Sequence, residues 1–143
     1  MTSNQTEALH YSNGKPDVSQ LLPEILTEEA AIYSYGERKY YRNNWALGKA
    51  WHEFTASLFR HYLEFQAGHD YDDCDGLEVD CAQIDRSEWS DRVRIREAIN
   101  GEFGVSACKR HSGLHHLAHI RWNAGTIRFY QIHGLGEDDR LRI

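Results

Sequence analysis

The segment HSGLHHLAHIRWN, residues 111–123, holds four of the nine histidines of the chain. His116, His119 and Asn123 are spaced by three and four residues, so on an α-helix they fall within roughly a 60° arc of one face. Two imidazoles on one helical face can bind a metal ion or contact a phosphate. The alternative is a set of buried polar groups that hydrogen-bond to one another or to the backbone.

Another histidine, His61, accompanies a strongly amphipathic stretch. Large apolar residues recur there at spacings of three and four: Leu47, Trp51, Phe54, Leu58, Tyr62 and Phe65. This pattern predicts a helix over about 46–66 with one buried face, ending near Gly68. His61 falls at the edge of that face, where it either contacts a ligand with the other histidines or is a hydrogen-bonded core residue.

Carboxylates that could bind a metal ion or activate water occur in two segments. Glu28 belongs to a predicted helix over 21–36, which Pro23 starts and Gly36 ends, and its neighbours on that helix face are apolar enough to turn it inward. An acidic loop supplies the second group: Asp70, Asp72 and Asp73. Divalent ions that bind phosphates prefer such oxygens, whereas an ordinary solvated loop is the alternative.

A weaker pattern joins three cysteines to a histidine. Cys74 and Cys81 are followed by Cys108 and His111, in the spacings Cys-x6-Cys and Cys-x2-His. Such a set could close a structural zinc site, and free buried thiols are the alternative. The odd number of cysteines argues against a disulfide framework and favours a reducing cytoplasm.

Composition limits the classes of protein to which the chain belongs. Its 143 residues, 41% hydrophobic and 27% charged, suit a single globular domain. The net charge of -6, without any Lys/Arg-rich tract, argues against a nucleic-acid partner. No apolar run approaches the ~20 residues that a membrane helix needs, so no membrane partner is expected.

The remaining segments divide the chain around these residues. Residues 1–19 form a polar arm, and 134–143 a tail. The last long helix is predicted over 112–133 with Ser112 as its N-cap. Between the acidic loop and this helix lies an irregular segment, about 74–110, in which EWSDRVRIREAING fits either a short helix or part of a hairpin.

Several short motifs in order resemble a known family. They are GKPDVSQLLPEIL, AIYSYGERKY, NNW, SLFRHYLEFQAGHDYD and SGLHHLAHIRWN, which together cover residues 14–73 and 111–133. In this order they resemble the phage dATP/dGTP diphosphohydrolases, the MazZ-type branch of the MazG-like nucleoside triphosphate pyrophosphohydrolases. The segment 74–110 stands where that family has a short acidic link, and the resemblance does not explain it.

The resemblance implies an all-α, MazG-like helical bundle over 1–143, assembled as a homodimer or homotetramer. It also implies that Mg²⁺ or Mn²⁺ supports hydrolysis of a purine dNTP to the monophosphate and pyrophosphate. The wider group holds its metals with the acidic pairs Glu-x-x-Glu and Glu-x-x-Asp, which this sequence lacks in plain form. His116-x-x-His119 stands at the second of these positions.

The expected roles follow from this reaction, in which bound ions would activate the attacking water and support the leaving pyrophosphate. The catalytic candidates are Glu28, His61 and His119. The metal-ligand candidates are Glu28, His61, Asp70, Asp72 and His119. The candidates for binding the substrate's phosphates, sugar or base are Lys15, Lys39, Asn44, Trp45, Arg60, His116 and Asn123.

Two other functions compete with this one. An HD-type phosphohydrolase would use His61 and the doublet His69-Asp70 and would release triphosphate, but no later Asp on a helix completes its set. A non-catalytic interaction protein would be stabilised by zinc at the cysteines. The phosphorus product separates the two enzymes, and zinc analysis with a turnover assay separates the interaction protein from both.

Overall fold

The computed structural model describes residues 14–74, 89–101 and 110–143, and their regular structure is helical. The four α-helices are α1 (Pro23–Lys39), α2 (Trp51–Gln66), α3 (Asp91–Asn100) and α4 (His116–His133). Two 3-10 turns, Val18–Gln20 and Asn44–Leu47, precede α1 and α2 respectively. These described segments contain isolated β-bridges but no strand, so the all-α class is confirmed.

Helices α2 and α4 run antiparallel and form the main packing contact of the chain. Trp51 and Phe54 of α2 are buried against Tyr130 of α4, which is fully buried. The rings of Phe54 and Tyr130 meet edge to face at 5.2 Å between centroids. Burying a large aromatic or aliphatic side chain contributes about 1.5–3 kcal/mol, so these residues anchor the pair.

Helix α1 packs on the N-terminal half of α4, and α3 packs on α1. Their shared core is made of smaller residues: Ala31, Ile32, Ala98, Leu114 and Ala118. Trp122 packs against both this cluster and the aromatic cluster of α2 and α4. It therefore joins the two halves of the core.

Two predicted boundaries were wrong. Helix α1 passes through Gly36 to Lys39, and the N–H of Tyr40 closes it on the carbonyl of Gly36. Helix α2 begins at Trp51 and not near 46, because Gly48 has a φ of 99°, which breaks helical geometry. Leu47, expected in the buried stripe, is 70% exposed in the preceding turn.

The start of α4 also differs from the prediction. Gly113 has a φ of 70°, so the helix cannot extend back to Ser112. The N-cap is His115, whose Nδ1 accepts a hydrogen bond of 3.0 Å from the N–H of Leu117. Ser112 is fully buried, and its hydroxyl contacts Asp72 and His119.

The segment EWSDRVRIREAING contains a helix, which settles the choice between helix and hairpin. Helix α3 is capped by Ser90, whose Oγ accepts from the N–H of Val93 at 3.3 Å. The rest of the predicted 74–110 segment lies mainly outside the described residues, as does most of the polar arm.

The segment predicted as a tail, residues 134–143, folds back and contacts the start of α2. The N–H of Trp51 donates to the carbonyl of Glu137 at 2.9 Å, and the N–H of His52 donates to Asp139 Oδ1 at 3.0 Å. The Asp139 carboxylate thus caps the positive end of α2, whose own N-cap residue, Ala50, has no side-chain oxygen. Across the described part of the chain, no helix is long and apolar enough to cross a membrane.

Candidate functional site

Three histidines meet where the C-terminal half of α2 passes the first turn of α4. His61 Nδ1 and His116 Nδ1 are 2.8 Å apart, a hydrogen bond that requires one ring to carry the proton and the other to accept it. The rings of His61 and His119 stack with 4.1 Å between centroids and 5° between planes. The structure thus brings together three predicted site residues from two helices. We call them the histidine cluster.

The acidic loop positions Asp72 against this cluster. Backbone hydrogen bonds pair the loop with the segment before α4: Asp72 N–H donates to the carbonyl of Leu114 at 2.9 Å, and Gly113 N–H donates to that of Asp72 at 2.8 Å. Asp72 Oδ2 accepts from the N–H of Ser112 at 2.9 Å and from its Oγ at 3.1 Å. The predicted metal ligand Asp72 therefore already has two donors.

Ser112 links this carboxylate to the deepest histidine. Ser112 Oγ lies 2.7 Å from His119 Nε2, and Asp72 Oδ2 lies 3.7 Å from the same nitrogen. The order is Asp–Ser–His, whereas in a catalytic triad the histidine stands between the other two. Because Ser112 is fully buried, it is no nucleophile for a bound substrate, and it instead orients His119.

Asn123 lies one turn beyond His119 on the same face of α4, as the spacing predicted. Its Nδ2 donates to the carbonyl of His119 at 2.9 Å and to Ser57 Oγ at 3.2 Å. Its Oδ1 is buried and has no hydrogen-bond partner among the described residues. Asn123 therefore ties α4 to α2 beneath the histidine cluster.

Burial keeps the histidine cluster uncharged. It lowers the pKa of His119 well below its usual value, and the neighbouring His61 and His116 lower it further. Burial also lowers the pKa of His61, to about 4, against an opposing effect of the Asp72 carboxylate. The pKa of His116 falls for the same principal reason. At neutral pH the three imidazoles are neutral donors and acceptors.

The cluster does not fit a Mg²⁺ site in this arrangement. Within the described ranges no three His, Cys, Asp or Glu side chains converge as metal ligands. His61 and His116 use their Nδ1 atoms on each other, and His119 Nε2 is held by Ser112. Mg²⁺ prefers oxygen ligands, while this cluster offers mainly nitrogen. The metal-ligand roles expected for these residues stay predictions.

A second feature is a cavity of about 400 Å³ beside the aromatic core. Aromatic side chains from four parts of the chain line it, among them Tyr33 of α1, Trp45, Phe54 and Trp122. Tyr33 stands edge-on between Trp45 and Trp122, at 5.7 Å and 5.9 Å between ring centroids. Asn44 also lines it, so the structure places both predicted base or sugar contacts, Asn44 and Trp45, in one cavity.

Tyr130 of α4 positions the segment that contains Trp45 at the cavity. Tyr130 Oη donates a hydrogen bond to the carbonyl of Trp45 and accepts one from the N–H of Gly48 at 3.2 Å. Two cationic side chains, Arg42 and Lys49, line the cavity together with one acidic side chain, Glu37. A volume in this range, with aromatic walls and a few polar groups, is typical of a small-molecule site.

Comparison with known proteins shows the family. The sequence matches the family described as "dATP/dGTP diphosphohydrolase, N-terminal" over residues 5–140. The chain belongs to this family. It is also 33% identical over 69 residues to a dATP/dGTP diphosphohydrolase of Salmonella phage PMBT28. That match covers 48% of this chain and 23% of the relative's length. No solved structure matches the chain.

In this member of the dATP/dGTP diphosphohydrolase family, the candidate base Glu28 lies apart from the histidine cluster. Burial raises the pKa of its half-buried carboxyl, and the neighbouring Asp91 at the start of α3 raises it further. Tyr71 donates a hydrogen bond to Asp91. The carboxyl of Glu28 on α1 is therefore within the electrostatic influence of Asp91 on α3.

The remaining predicted residues of this diphosphohydrolase family member lie outside both features. Lys15, Lys39 and Arg60 are exposed, and Lys39 Nζ lies 5.4 Å from the Tyr40 ring centroid. Asp70 is exposed, and its carbonyl accepts from the N–H of His116 at 2.8 Å. His69, of the HD doublet, pairs with Glu64 on the surface at 2.7 Å.

The zinc hypothesis is not tested by the described part of the chain. Cys74 and His111 are half-buried, but Cys81 and Cys108 lie outside the described residues.

Sequence reasoning missed several residues of this family member's two features. Ser112 was predicted to be a helix cap. The positive φ of Gly113 instead separates it from the helix, and its side chain is buried. Residue spacing did not identify three residues of the cavity, Tyr33, Arg42 and Lys49, because no periodic pattern connects α1 with the segment that follows it. The AIYSYGERKY and NNW motifs were the only signal near them, and they flank the cavity.

Proposed function

We propose that the chain hydrolyses purine deoxynucleoside triphosphates, dATP or dGTP, to the monophosphate and pyrophosphate. The observation that carries the proposal is the family match over residues 5–140, since the family is described by that activity. The relative from Salmonella phage PMBT28 carries the same description. A cavity lined by aromatic rings, with a group of neutral histidines further along α2, suits a nucleotide substrate.

In the proposed binding mode, the base enters the aromatic cavity and the triphosphate extends along α2. Phe54 lines the cavity, and His61 follows seven residues later, a helical rise of about 10 Å. The exposed Arg60 adjoins His61 and would contact the phosphates. Arg42 and Lys49 line the cavity and would contact an anionic ligand, and Lys49 Nζ also lies 3.5 Å from Glu53 Oε2.

The proposed reaction is attack of water on the α-phosphorus. A new bond forms from the water oxygen to this phosphorus, and the bond from it to the oxygen bridging the α- and β-phosphorus breaks. Pyrophosphate leaves with the bridging oxygen, and the proton of the water passes to a basic group. His61 is the cluster member that is not fully buried, and its neutral ring can take that proton. Glu28, with its raised pKa, is the other candidate base.

Mg²⁺ or Mn²⁺ is proposed to enter as part of the substrate, bound to the phosphates of the dNTP. The described residues do not form a resident site for such an ion, so its supply with the nucleotide agrees better with the structure. When bound there, the ion neutralises phosphate oxygens and stabilises the leaving pyrophosphate. The proposed location is the cytoplasm, the host's if the chain is phage-encoded, where dNTPs are available.

A homodimer or homotetramer remains part of the proposal. Trp51 and Phe54 are buried within one chain and are not available to a second. A different stripe of α2 is free in one chain: Phe59, Tyr62 and Leu63, which are 57%, 46% and 63% exposed. Their spacing of three and four places them on one face, which would pack against a second copy.

Turnover of the canonical dNTPs and NTPs with Mg²⁺ and with Mn²⁺, followed by chromatography of the products, tests the proposed function. We expect dGTP and dATP to yield monophosphate and pyrophosphate, and pyrimidine dNTPs to react much more slowly. Absence of turnover with every nucleotide would contradict it, and a zinc-loaded inactive protein would favour the interaction protein.

A further inference from the structure

Trp122, a residue of the cavity wall, carries a buried hydrogen-bond donor that the described residues do not use. Its side chain lines the cavity, while its Nε1 is buried and has no hydrogen-bond partner among the described residues. Buried indole N–H groups normally find an acceptor. Trp51 shows the ordinary case, because its Nε1 donates to the carbonyl of Leu135 at 3.0 Å. The N–H of Trp122 is therefore left available for an acceptor other than the described residues.

The surroundings of Trp122 favour a flat aromatic ligand. Its ring meets Tyr33 edge-on at 5.9 Å and Phe54 at a tilt of 59° with 6.0 Å between centroids. Rings in such arrangements leave aromatic edges and faces toward the cavity, against which a nucleobase can stack. The indole is half-buried and its Nε1 is buried, so contact between this N–H and a ligand requires the ring to rotate toward the cavity.

Purine chemistry identifies the acceptor. Adenine and guanine share an acceptor at N7, whereas at the six-position adenine has an amino donor and guanine a carbonyl acceptor. Pyrimidines have no atom equivalent to N7. A single N–H donor directed at N7 would therefore select purines over pyrimidines without separating adenine from guanine.

We propose that Trp122 Nε1–H donates a hydrogen bond to purine N7 and is the residue that makes the site purine-specific. This inference rests on the proposed function, since it concerns the base of the same substrate. It assigns Trp122 to binding and specificity, separate from the hydrolytic step at the phosphates. It also provides a physical reason why one site would accept both dATP and dGTP.

The direct test deletes the acceptor from the ligand. Binding of dGTP and of 7-deaza-dGTP, in which a C–H replaces N7, is measured by calorimetry in Mg²⁺-containing buffer. A hydrogen bond contributing about 1.4 kcal/mol corresponds to a tenfold change in affinity. We expect the wild-type chain to bind 7-deaza-dGTP about tenfold more weakly than dGTP, and the pair dATP and 7-deaza-dATP to show the same ratio.

The second arm deletes the donor from the protein. Trp122→Phe keeps an aromatic ring but removes the N–H, so it should weaken dGTP binding and bring the ratio of the two affinities to about one. Trp51→Phe is the matched control, because it removes an indole N–H outside the cavity and should keep the tenfold ratio. Thermal melting checks that each variant is folded. If Trp122→Phe does not fold, ¹⁵N-tryptophan NMR of the wild type replaces it: the Trp122 indole resonance should shift downfield with dGTP and much less with 7-deaza-dGTP.

The outcomes separate this inference from the proposed function. Equal binding of dGTP and 7-deaza-dGTP by the wild type overturns the inference, as does a tenfold ratio that persists in Trp122→Phe. Either result leaves the hydrolysis of dGTP standing if turnover is observed. Binding with the N7 dependence but without turnover would support the inference and contradict the proposed function. No binding of either purine dNTP would contradict both.

Discussion

The imidazole rings of His61 and His119 lie face to face, 4.1 Å apart and within 5° of parallel. His116 completes the group through the hydrogen bond between its Nδ1 and that of His61. Two imidazolium rings at this distance would repel each other in a site with little water. The packing of α2 on α4 at this point therefore depends on neutral histidines.

The first prediction is that the chain loses stability as the pH falls from about 6.5 toward 4. An unfolded histidine binds a proton near pH 6.5, whereas folded His61 stays neutral until about pH 4. Between these values the unfolded chain binds more protons, so the free energy of unfolding decreases as the pH falls. Melting temperatures measured across this range should show it. His61→Asn should flatten the dependence, and His133→Asn, at an exposed position, should not.

The second prediction concerns Ser112 as the link between Asp72 and His119. Ser112→Ala should lower stability by roughly 1–3 kcal/mol, because it removes the partner of the buried His119 Nε2 and one of the two donors to Asp72 Oδ2. His119→Ala should act on the same network, so the double variant should lose less than the sum of the two. Urea unfolding of the two single variants and the double variant measures this. Strict additivity would show that the network is not a unit.

The same variants distinguish a positioning role of Ser112 from a catalytic role of His119. If Ser112 only orients His119, then turnover per folded molecule should fall less in Ser112→Ala than in His119→Ala. Ser19→Ala, at an exposed position of the turn before α1, is the matched serine control. A His119→Ala variant with a lowered melting temperature but normal turnover per folded molecule would leave His119 as a structural residue.

The third prediction is that the divalent ion binds with the nucleotide and not beforehand. Chelation should abolish turnover, yet calorimetric titration of Mg²⁺ into the nucleotide-free chain should show no tight binding. The reason is that the described residues contain no converging set of three ligands. Stoichiometric micromolar binding of Mg²⁺ or Mn²⁺ without nucleotide would contradict this and support the resident site that the sequence suggested.

The fourth prediction concerns self-association through α2. Leu63→Glu places a charge in the exposed stripe with Phe59 and Tyr62, so it should convert an oligomer to a monomer in light scattering. Leu141→Glu, at a residue that is 90% exposed in the C-terminal segment, is the control. A wild-type chain that is monomeric at micromolar concentration would contradict the assembly itself.

The sequence predicted the helical class and much of the histidine cluster, because periodic spacing determines which side chains share a helix face. His116, His119 and Asn123 do share one face of α4, and His61 does lie at the inner edge of α2. Helix ends were harder to predict. The positive φ angles of Gly48 and Gly113 move the starts of α2 and α4, whereas Gly36 remains helical. A glycine allows these conformations without dictating them.

Contacts between segments distant in the sequence could not be predicted from sequence patterns. The bond from Ser112 to Asp72 spans 40 positions, and that from Tyr130 to Trp45 spans 85. Such pairs arise from the packing of whole helices and leave no local spacing to detect. That Asp91 neighbours Glu28 could not be predicted for the same reason, since Asp91 comes from a helix whose place relative to α1 is set by tertiary packing.

The measurement that tests the central claim most directly is ³¹P NMR of dGTP turnover in H₂¹⁸O. Water attack at the α-phosphorus predicts dGMP and pyrophosphate in equal amounts, with ¹⁸O in the dGMP phosphate and none in pyrophosphate. Deoxyguanosine with inorganic triphosphate, as from an HD-type enzyme, would contradict the account, and so would dGDP with orthophosphate. Label found in pyrophosphate would place the attack on the β-phosphorus and contradict the proposed mechanism.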